Sequence, residues 1–413
     1  MSVEPPVESS AKPGSDEQMD RPPRRMAAGR SPPHAPEESE RPPEGPPAAL
    51  RTFHPPTSAT AIALPNPAHV IRDEKTCRRM CPRLITQNEP TLLAIGETVR
   101  NCWEIKGLIG CGGYGQIFYC VDGRSGQRVA IKAEPIHRNG RRHRRMILEQ
   151  HVLVRLQGQP HVPLIFGSGC QAGVNFIVMQ LLSVNLGDLR KMSPLKRLSR
   201  PTCGRVALQA IAALRDLHNA GFLHRDIKPA NVSGRSVKSP MCFGCTETSK
   251  HRLFIVDYGL ARSHRMADGR PRKQRERAGF RGTLRYVSLR VHDREEQGPA
   301  DDLVSLFYTL LELLRGELPW KALQQGPLIR STKDALQRDD FVEISRSFGE
   351  PLREFGRAVY SMGVADEPNY AALQDVMRAF GQNTPLDSKY DWEADYADVL
   401  NEEEINRHLG LIN

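Results

Sequence analysis

Asp226, Lys228 and Asn231 carry the first chemical signal, in the stretch His224-Arg225-Asp226-Ile227-Lys228-Pro229-Ala230-Asn231. An aspartate can take the proton of an attacking hydroxyl. A lysine two residues on offers fixed positive charge where negative charge gathers on a transferred phosphoryl group. An asparagine five residues after the aspartate can hold a metal ion that bridges phosphates. Pro229 restricts the backbone between the lysine and the asparagine. Three such residues at this spacing form a specific signal, and the chemistry they suit is phosphoryl transfer.

Other residues that such chemistry needs are found on both sides of this stretch. Gly110, Cys111, Gly112, Gly113, Tyr114, Gly115 and Gln116, between Ile109 and Ile117, read G-x-G-x-x-G-x-β-branched. Glycines let a backbone fold over phosphates with no Cβ in the way, and Ile117 is placed to close over an adenine. Dinucleotide folds share the pattern, but there the glycine loop opens a helix. Here Ile117 to Val121 continues as a strand. After turns at Asp122-Gly123 and Ser125-Gly126 the next strand ends in Val129-Ala130-Ile131-Lys132, with Ala130 at the pocket and Lys132 set to pair the α- and β-phosphates.

The elements that position these groups follow in order. Arg138, Arg141, Arg142, Arg144 and Arg145 read as a solvated basic run leading into a helix. Leu148, Val152 and Leu156 share one face of that helix, and Glu149 on it can pair with Lys132. Asn175 to Met179 is an apolar strand with Met179 at the back of the pocket, and Gln180 to Leu182 form a connector offering backbone groups to an adenine edge. Leu208, Ile211, Leu214 and Leu217 make a helix stripe closed by Gly221. Cys242-Phe243-Gly244-Cys245 sits in a polar insertion, a weak zinc pattern without further ligands. Leu253 to Gly259 is a buried strand ending in Asp257-Tyr258-Gly259, with Asp257 as a magnesium carboxylate. Asp301-Asp302 caps an apolar helix, and Asp302 can anchor the 224–231 stretch from below.

Composition limits the remaining choices. The chain has 413 residues, 39% hydrophobic and 26% charged, enough for a two-lobed enzyme plus tails. Net charge is +10 and the sequence pI about 9.2, which favours acidic partners. No apolar run approaches the roughly 18 residues of a membrane span, the start has no signal-peptide core, and the end has no lipidation cysteine. Nine scattered cysteines argue for reduced thiols, so a cytoplasmic and also nuclear setting is expected. Residues 1–91 hold more than half of the prolines and read as a disordered tail. Its Pro-Pro pairs are either docking sites for adaptor domains or parts of an inert solvated tail.

From about Leu92 to Glu393 the chain resembles the casein kinase 1 superfamily of Ser/Thr protein kinases, and within it the tau-tubulin kinase branch. Gly221-Phe222-Leu223 before the His-Arg-Asp motif carries the resemblance. Val178 to Leu181, Asn185-Leu186, Asp188 to Arg190, Gly279 to Tyr286, Ser305 to Tyr308 and Tyr390 to Glu393 carry it further. Departures are Ser288-Leu289-Arg290 where relatives carry S-I-N, Val304 where the branch has Trp, and one residue missing after Asn231.

The resemblance implies an α+β bilobal kinase fold, with a small lobe over about 92–182, a large lobe to about 393 and a short tail at 394–413. It implies ATP with magnesium, held by Asn231 and Asp257, and transfer to Ser or Thr of acidic or pre-phosphorylated proteins. Arg281, Thr283 and Arg285 are the expected substrate residues, and an anion is expected at Arg285. Arg225 is of the type that pairs with an activation-segment phosphate. Between Asp257 and Ser288, however, the only serine and threonine residues are Ser263, near the start of the segment, and Thr283, in the substrate-facing pair, so activity without that modification is expected. Neither a membrane nor a specific nucleic acid is an expected partner, and a monomer is expected. A pseudokinase scaffold is the rival reading, but Lys132, Asp226 and Asp257 are all present.

Overall fold

The computed structural model describes residues 76, 79–80, 82, 84–85 and 90–393, apart from 113–114, 139, 230–240 and 267. Most of the Pro-rich stretch and residues 394–413 lie outside these. Among the described residues, no helix is long and apolar enough to cross a membrane.

Strand alternation sets which side chains of the small lobe face the site. The lobe runs β1 (Thr98–Val99), β2 (Trp103–Gly112), β3 (Gly115–Asp122), β4 (Arg128–Pro135), the short pair β5 (His137–Arg138) and β6 (Arg141–Arg142), α1 (Arg145–Arg155), β7 (Ile165–Gln171) and β8 (Val174–Gln180). Six of these strands form one antiparallel sheet in the order β1-β2-β3-β4-β8-β7. Val129, Ile131 and Ala133 of β4 pack with Phe118, Cys120, Phe176 and Val178 in an outer apolar cluster. Each large side chain so buried contributes about 1.5–3 kcal/mol. The period of two then turns Ala130 and Lys132 to the opposite face, towards the interlobe side. Arg138 and Arg141–Arg142 of the basic run are exposed, as expected, and form a short hairpin before the helix starts.

The large lobe is mainly helical. It contains β9 (Leu182–Asn185), α2 (Leu186–Met192), α3 (Arg200–Asn219), β10 (Phe222–Leu223), β11 (Met241–Gly244), β12 (Leu253–Ile255) and β13 (Arg262–Ser263). Helices α4 (Leu289–His292), α5 (Pro299–Arg315), α6 (Gly326–Arg338), α7 (Val342–Phe348), α8 (Glu350–Ser361) and α9 (Tyr370–Phe380) follow. Ser199 caps α3 by accepting from the Thr202 amide at 3.3 Å, with Pro201 in the first turn. A Cβ on Gly204 would meet Gly381 Cα at 2.4 Å, so α3 and the end of α9 approach through a glycine pair. Asp391 accepts from the Ser199 amide and from the Ser199 and Thr202 hydroxyls, each at 2.6 Å. This ties the stacked pair Tyr390 and Trp392, centroids 4.6 Å apart, to the start of α3.

Two expectations are corrected here. The insertion read as polar contains β11, which is buried throughout and pairs with β9 and β12. Its Phe243 meets Tyr390 and Trp392 edge-on, and Cys245 Sγ lies 3.1 Å from the Leu181 carbonyl. Order also begins before Leu92. Met80 is fully buried, Arg79 Nη1 donates to the Trp392 carbonyl at 2.9 Å, and the Ile85 amide donates to Leu108 O at 2.7 Å. The segment packs on both lobes through a few apolar side chains that prolines and charges dilute in the sequence.

Candidate active site

The 224–229 stretch forms neither helix nor strand, so its backbone polar groups need partners from elsewhere. Asp302, in the first turn of α5, supplies two of them. Its carboxylate accepts the His224 amide at 2.7 Å and the Arg225 amide at 2.8 Å. Arg225 has φ 69°, in the left-handed region. Such a conformation costs about 1–3 kcal/mol, which hydrogen bonds to a buried carboxylate can offset. His224 Nε2 donates to Val256 O at 3.1 Å, while its Nδ1 accepts from the Asp226 amide at 3.3 Å. The loop is thereby fixed to the chain just before Asp257.

Asp226 emerges from this scaffold with both oxygens engaged. Lys228 Nζ donates to Oδ2 at 2.6 Å, and the Thr283 hydroxyl donates to Oδ1 at 2.6 Å. Lys228 Nζ also reaches Thr283 Oγ1 at 2.9 Å. The sequence stretch and the distant Gly282-Thr283 pair thus meet around one carboxylate.

Lys132 lies 2.7 and 2.5 Å from the two Glu149 oxygens and 2.9 Å from Asp257 Oδ1, with all three groups nearly enclosed. Burial lowers the pKa of Lys132, but the charges of Asp257 and Glu149 more than reverse that, and the net shift is upward. Asp257 has φ 64° and turns out of β12 into the Tyr258–Leu260 3-10 turn. Arg145 is the correction to the solvated basic run. Its Nη2 lies 3.7 Å from Asp257 Oδ1, and a Cβ on Gly259 would meet its Nε at 2.3 Å. Its spacing from the exposed arginines hid this, because the intervening hairpin turns it inward.

On the nucleotide side, β2 and β3 pair Gly110 with Ile117, Cys111 with Gln116 and Gly112 with Gly115. Gly113 and Tyr114 lie outside the described residues, as does Asn231. Ile109, Ile117, Ala130, Met179 and Leu181 pack on the interlobe face. Gln116 and Cys111 do not point their side chains there. The Gln116 amide accepts from Leu92 N at 2.6 Å and donates to Pro90 O at 3.0 Å, and Cys111 packs on the outer cluster. Adjacent strand positions alternate faces, so only their backbone can serve a phosphate. The Gln180 backbone N–H donates to Leu164 O at 2.8 Å, so the backbone donor of Gln180 is taken and cannot serve an adenine. Leu182 begins β9 half-buried.

The expected substrate residues separate. Arg285 lines a cleft with Arg190, Lys191, Lys196, Arg315 and Lys321, alongside Glu312 and Glu317. Arg281 is exposed and lines no part of it; its charge acts instead on Arg225. Arg225 Nε donates to Leu260 O at 2.7 Å, and burial followed by the charge of Arg262 pushes the guanidinium down to about 10. Glu296 takes both Arg262 and Arg275 and is held at about 2 by the Arg275 hydrogen bond. His218, which no motif signalled, lies between Asp302 and the Tyr370 hydroxyl, at 2.9 and 2.7 Å.

A buried lysine between two carboxylates can hold phosphate oxygens in place, and a carboxylate such as Asp257 suits a hard divalent cation. Asp226, partnered by a lysine, can accept a hydroxyl proton. Comparison with known proteins agrees with this chemistry. The protein kinase domain family matches residues 103–359. A Caenorhabditis elegans protein named "Putative casein kinase I" is 40% identical over 310 residues, covering 75% of this chain and 88% of its own. A Dictyostelium discoideum protein named a probable serine/threonine-protein kinase is 31% identical over 306 residues, covering 73% of this chain and 58% of its own. The C. elegans serine/threonine-protein kinase spe-6 is 29% identical over 301 residues, covering 70% and 75%. The family match over residues 103–359, together with the Lys132, Asp226 and Asp257 geometry, places the chain in the protein kinase family, as an ATP-dependent Ser/Thr kinase of the casein kinase I-like kind.

Proposed function

We propose that this kinase transfers the γ-phosphoryl group to serine or threonine in protein segments that are acidic or already phosphorylated. Asp226 takes the proton of the attacking hydroxyl. Lys228, 2.6 Å from Asp226, faces the developing phosphoryl charge. Lys132, braced by Glu149, orients the phosphates of the bound nucleotide. Asp257 and Asn231 are the residues that would hold magnesium, which when bound neutralises phosphate charge. Catalysis then rests on positioning and charge stabilisation.

The observation that supports the substrate preference is the cleft at Arg285, where six basic side chains meet two carboxylates. A guanidinium can grip a phosphate through two parallel hydrogen bonds. One such contact contributes about 1.5–3 kcal/mol, or roughly tenfold to a hundredfold in kcat/KM. Arg285→Ala is therefore expected to depress kcat/KM on a phosphorylated or acidic peptide by that factor, with much less change on a neutral peptide. Equal losses on both would remove the preference from the account.

A further inference from the structure

Lys333, on α6, is fully enclosed although its side chain ends in an amine. Its Nζ donates to Leu284 O at 3.0 Å and to Val287 O at 2.7 Å, and lies 3.2 Å from His292 Nε2. The Tyr308 and Trp320 rings cover it, with centroids at 4.9 and 5.4 Å. Trp320 Nε1 in turn donates to Arg285 O at 2.8 Å. Residues 284–287 belong to no helix or strand, yet these two side chains capture three of their carbonyls.

Burying an amine costs several kcal/mol, and an apolar chain of similar volume would fill the same space. An amine kept there is suited to a directional task that packing cannot perform. Burial pushes Lys333 down to about 6, while the two carbonyls and two ring faces favour the ammonium. His292 is pushed down to about 4 by burial and then by Lys333, so it stays neutral and can accept.

The held segment starts one residue after Thr283, whose hydroxyl donates to Asp226. Thr283 thus stands at Asp226 with the held segment next to it in the chain. We propose that Lys333, together with Trp320, is a positioning residue for the protein substrate. By fixing the carbonyls of residues 284–287 it sets where a bound peptide lies relative to the base. Lys132, Glu149 and Asp257 bond to one another and to Arg145, so the nucleotide side should be indifferent to it.

Lys333→Met keeps the aliphatic stem and removes the donors. The expected result is a peptide KM raised about tenfold, the size of one lost hydrogen bond. KM for ATP and the slow ATP hydrolysis without peptide should stay at wild-type values. A residue with a core role alone would lower Tm and leave the peptide KM unchanged, and a folded Lys333→Met protein behaving that way overturns the proposal. Should that variant fail to fold, Trp320→Phe, which keeps an aromatic ring in the core but removes the donor to Arg285 O, must show the same split between peptide and ATP. An unchanged peptide KM there overturns the proposal equally. Wild-type phosphoryl transfer is unaffected by either outcome.

Discussion

His218 Nε2 stands 2.9 Å from Asp302 Oδ2, with both side chains enclosed beneath the catalytic loop. The carboxylate that holds the His224 and Arg225 amides is thus itself held by a residue of α3. Burial raises the pKa of Asp302, but the hydrogen bonds from His218 and the His224 amide help to outweigh that and keep the carboxyl below its usual range.

Asp302→Asn should therefore loosen the loop more than it disturbs nucleotide binding. The amide keeps the shape but loses the charge and one acceptor. We expect kcat to fall about tenfold or more and stability to fall by about 3 kcal/mol, as when one partner leaves a buried pair. Steady-state kinetics and thermal unfolding check both. Unchanged kcat in a destabilised protein would separate the anchor from catalysis.

Lys132→Met should reduce transfer by about 10² or more, the usual size of a positioning effect. It should also extend a pH dependence that the wild type already has. Burial raises the Glu149 carboxyl to about 7 against the opposing charge of Lys132, so removing the ammonium raises it further. A carboxyl raised above its unfolded value of 4.5 loses stability as pH rises past that value, because ionising it in place becomes costly. Wild type and variant share that loss up to about pH 7, and the variant's unfolding midpoints should fall further, relative to wild type, above it. A constant difference above that pH would count against the buried pair.

His292 and Glu296 contribute to the acid limb of the native protein alongside other groups held low, such as His161, His264, Asp293 and Glu393. His292 is depressed from 6.5 to about 4 by burial, and Glu296 from 4.5 to about 2, chiefly by Arg275. In both cases the unfolded chain binds protons first, so stability present at higher pH is lost as pH falls: through 6.5 towards 4 for His292, and through 4.5 towards 2 for Glu296. Glu296→Gln should reduce the slope in the lower window, where Asp293, Asp302 and Glu393 still contribute, and leave the upper one intact. Urea midpoints measured across both windows test this, and a wild-type slope below pH 4.5 in the variant would refute it.

Much of this site was legible because its chemistry is local in sequence. Lys132, Asp226, Lys228 and Asp257 stand in short motifs, and Asp302 declares itself as an acidic residue opening an apolar helix. What escaped depends on contacts between distant segments. Arg145 reads as solvated until the β5–β6 hairpin turns it towards Asp257. Gln116 reads as a nucleotide residue until alternation along β3 points it at Leu92. His218 and Lys333 sit in helices with nothing beside them in sequence to mark a polar partner. The stretch from Thr76 to Ile85 looks like tail because its buried Met80 has no periodic neighbours.

The central claim is that the carboxylate of Asp226, held between Lys228 and Thr283, serves transfer to a protein hydroxyl. The most direct test is transfer of labelled γ-phosphate from ATP to an acidic peptide by wild type and Asp226→Asn, followed by identification of the phosphorylated amino acid. The account predicts phosphoserine or phosphothreonine from wild type. It predicts a rate lower by about 10² or more from the variant, with ATP affinity near wild type. Transfer by Asp226→Asn at the wild-type rate would contradict it.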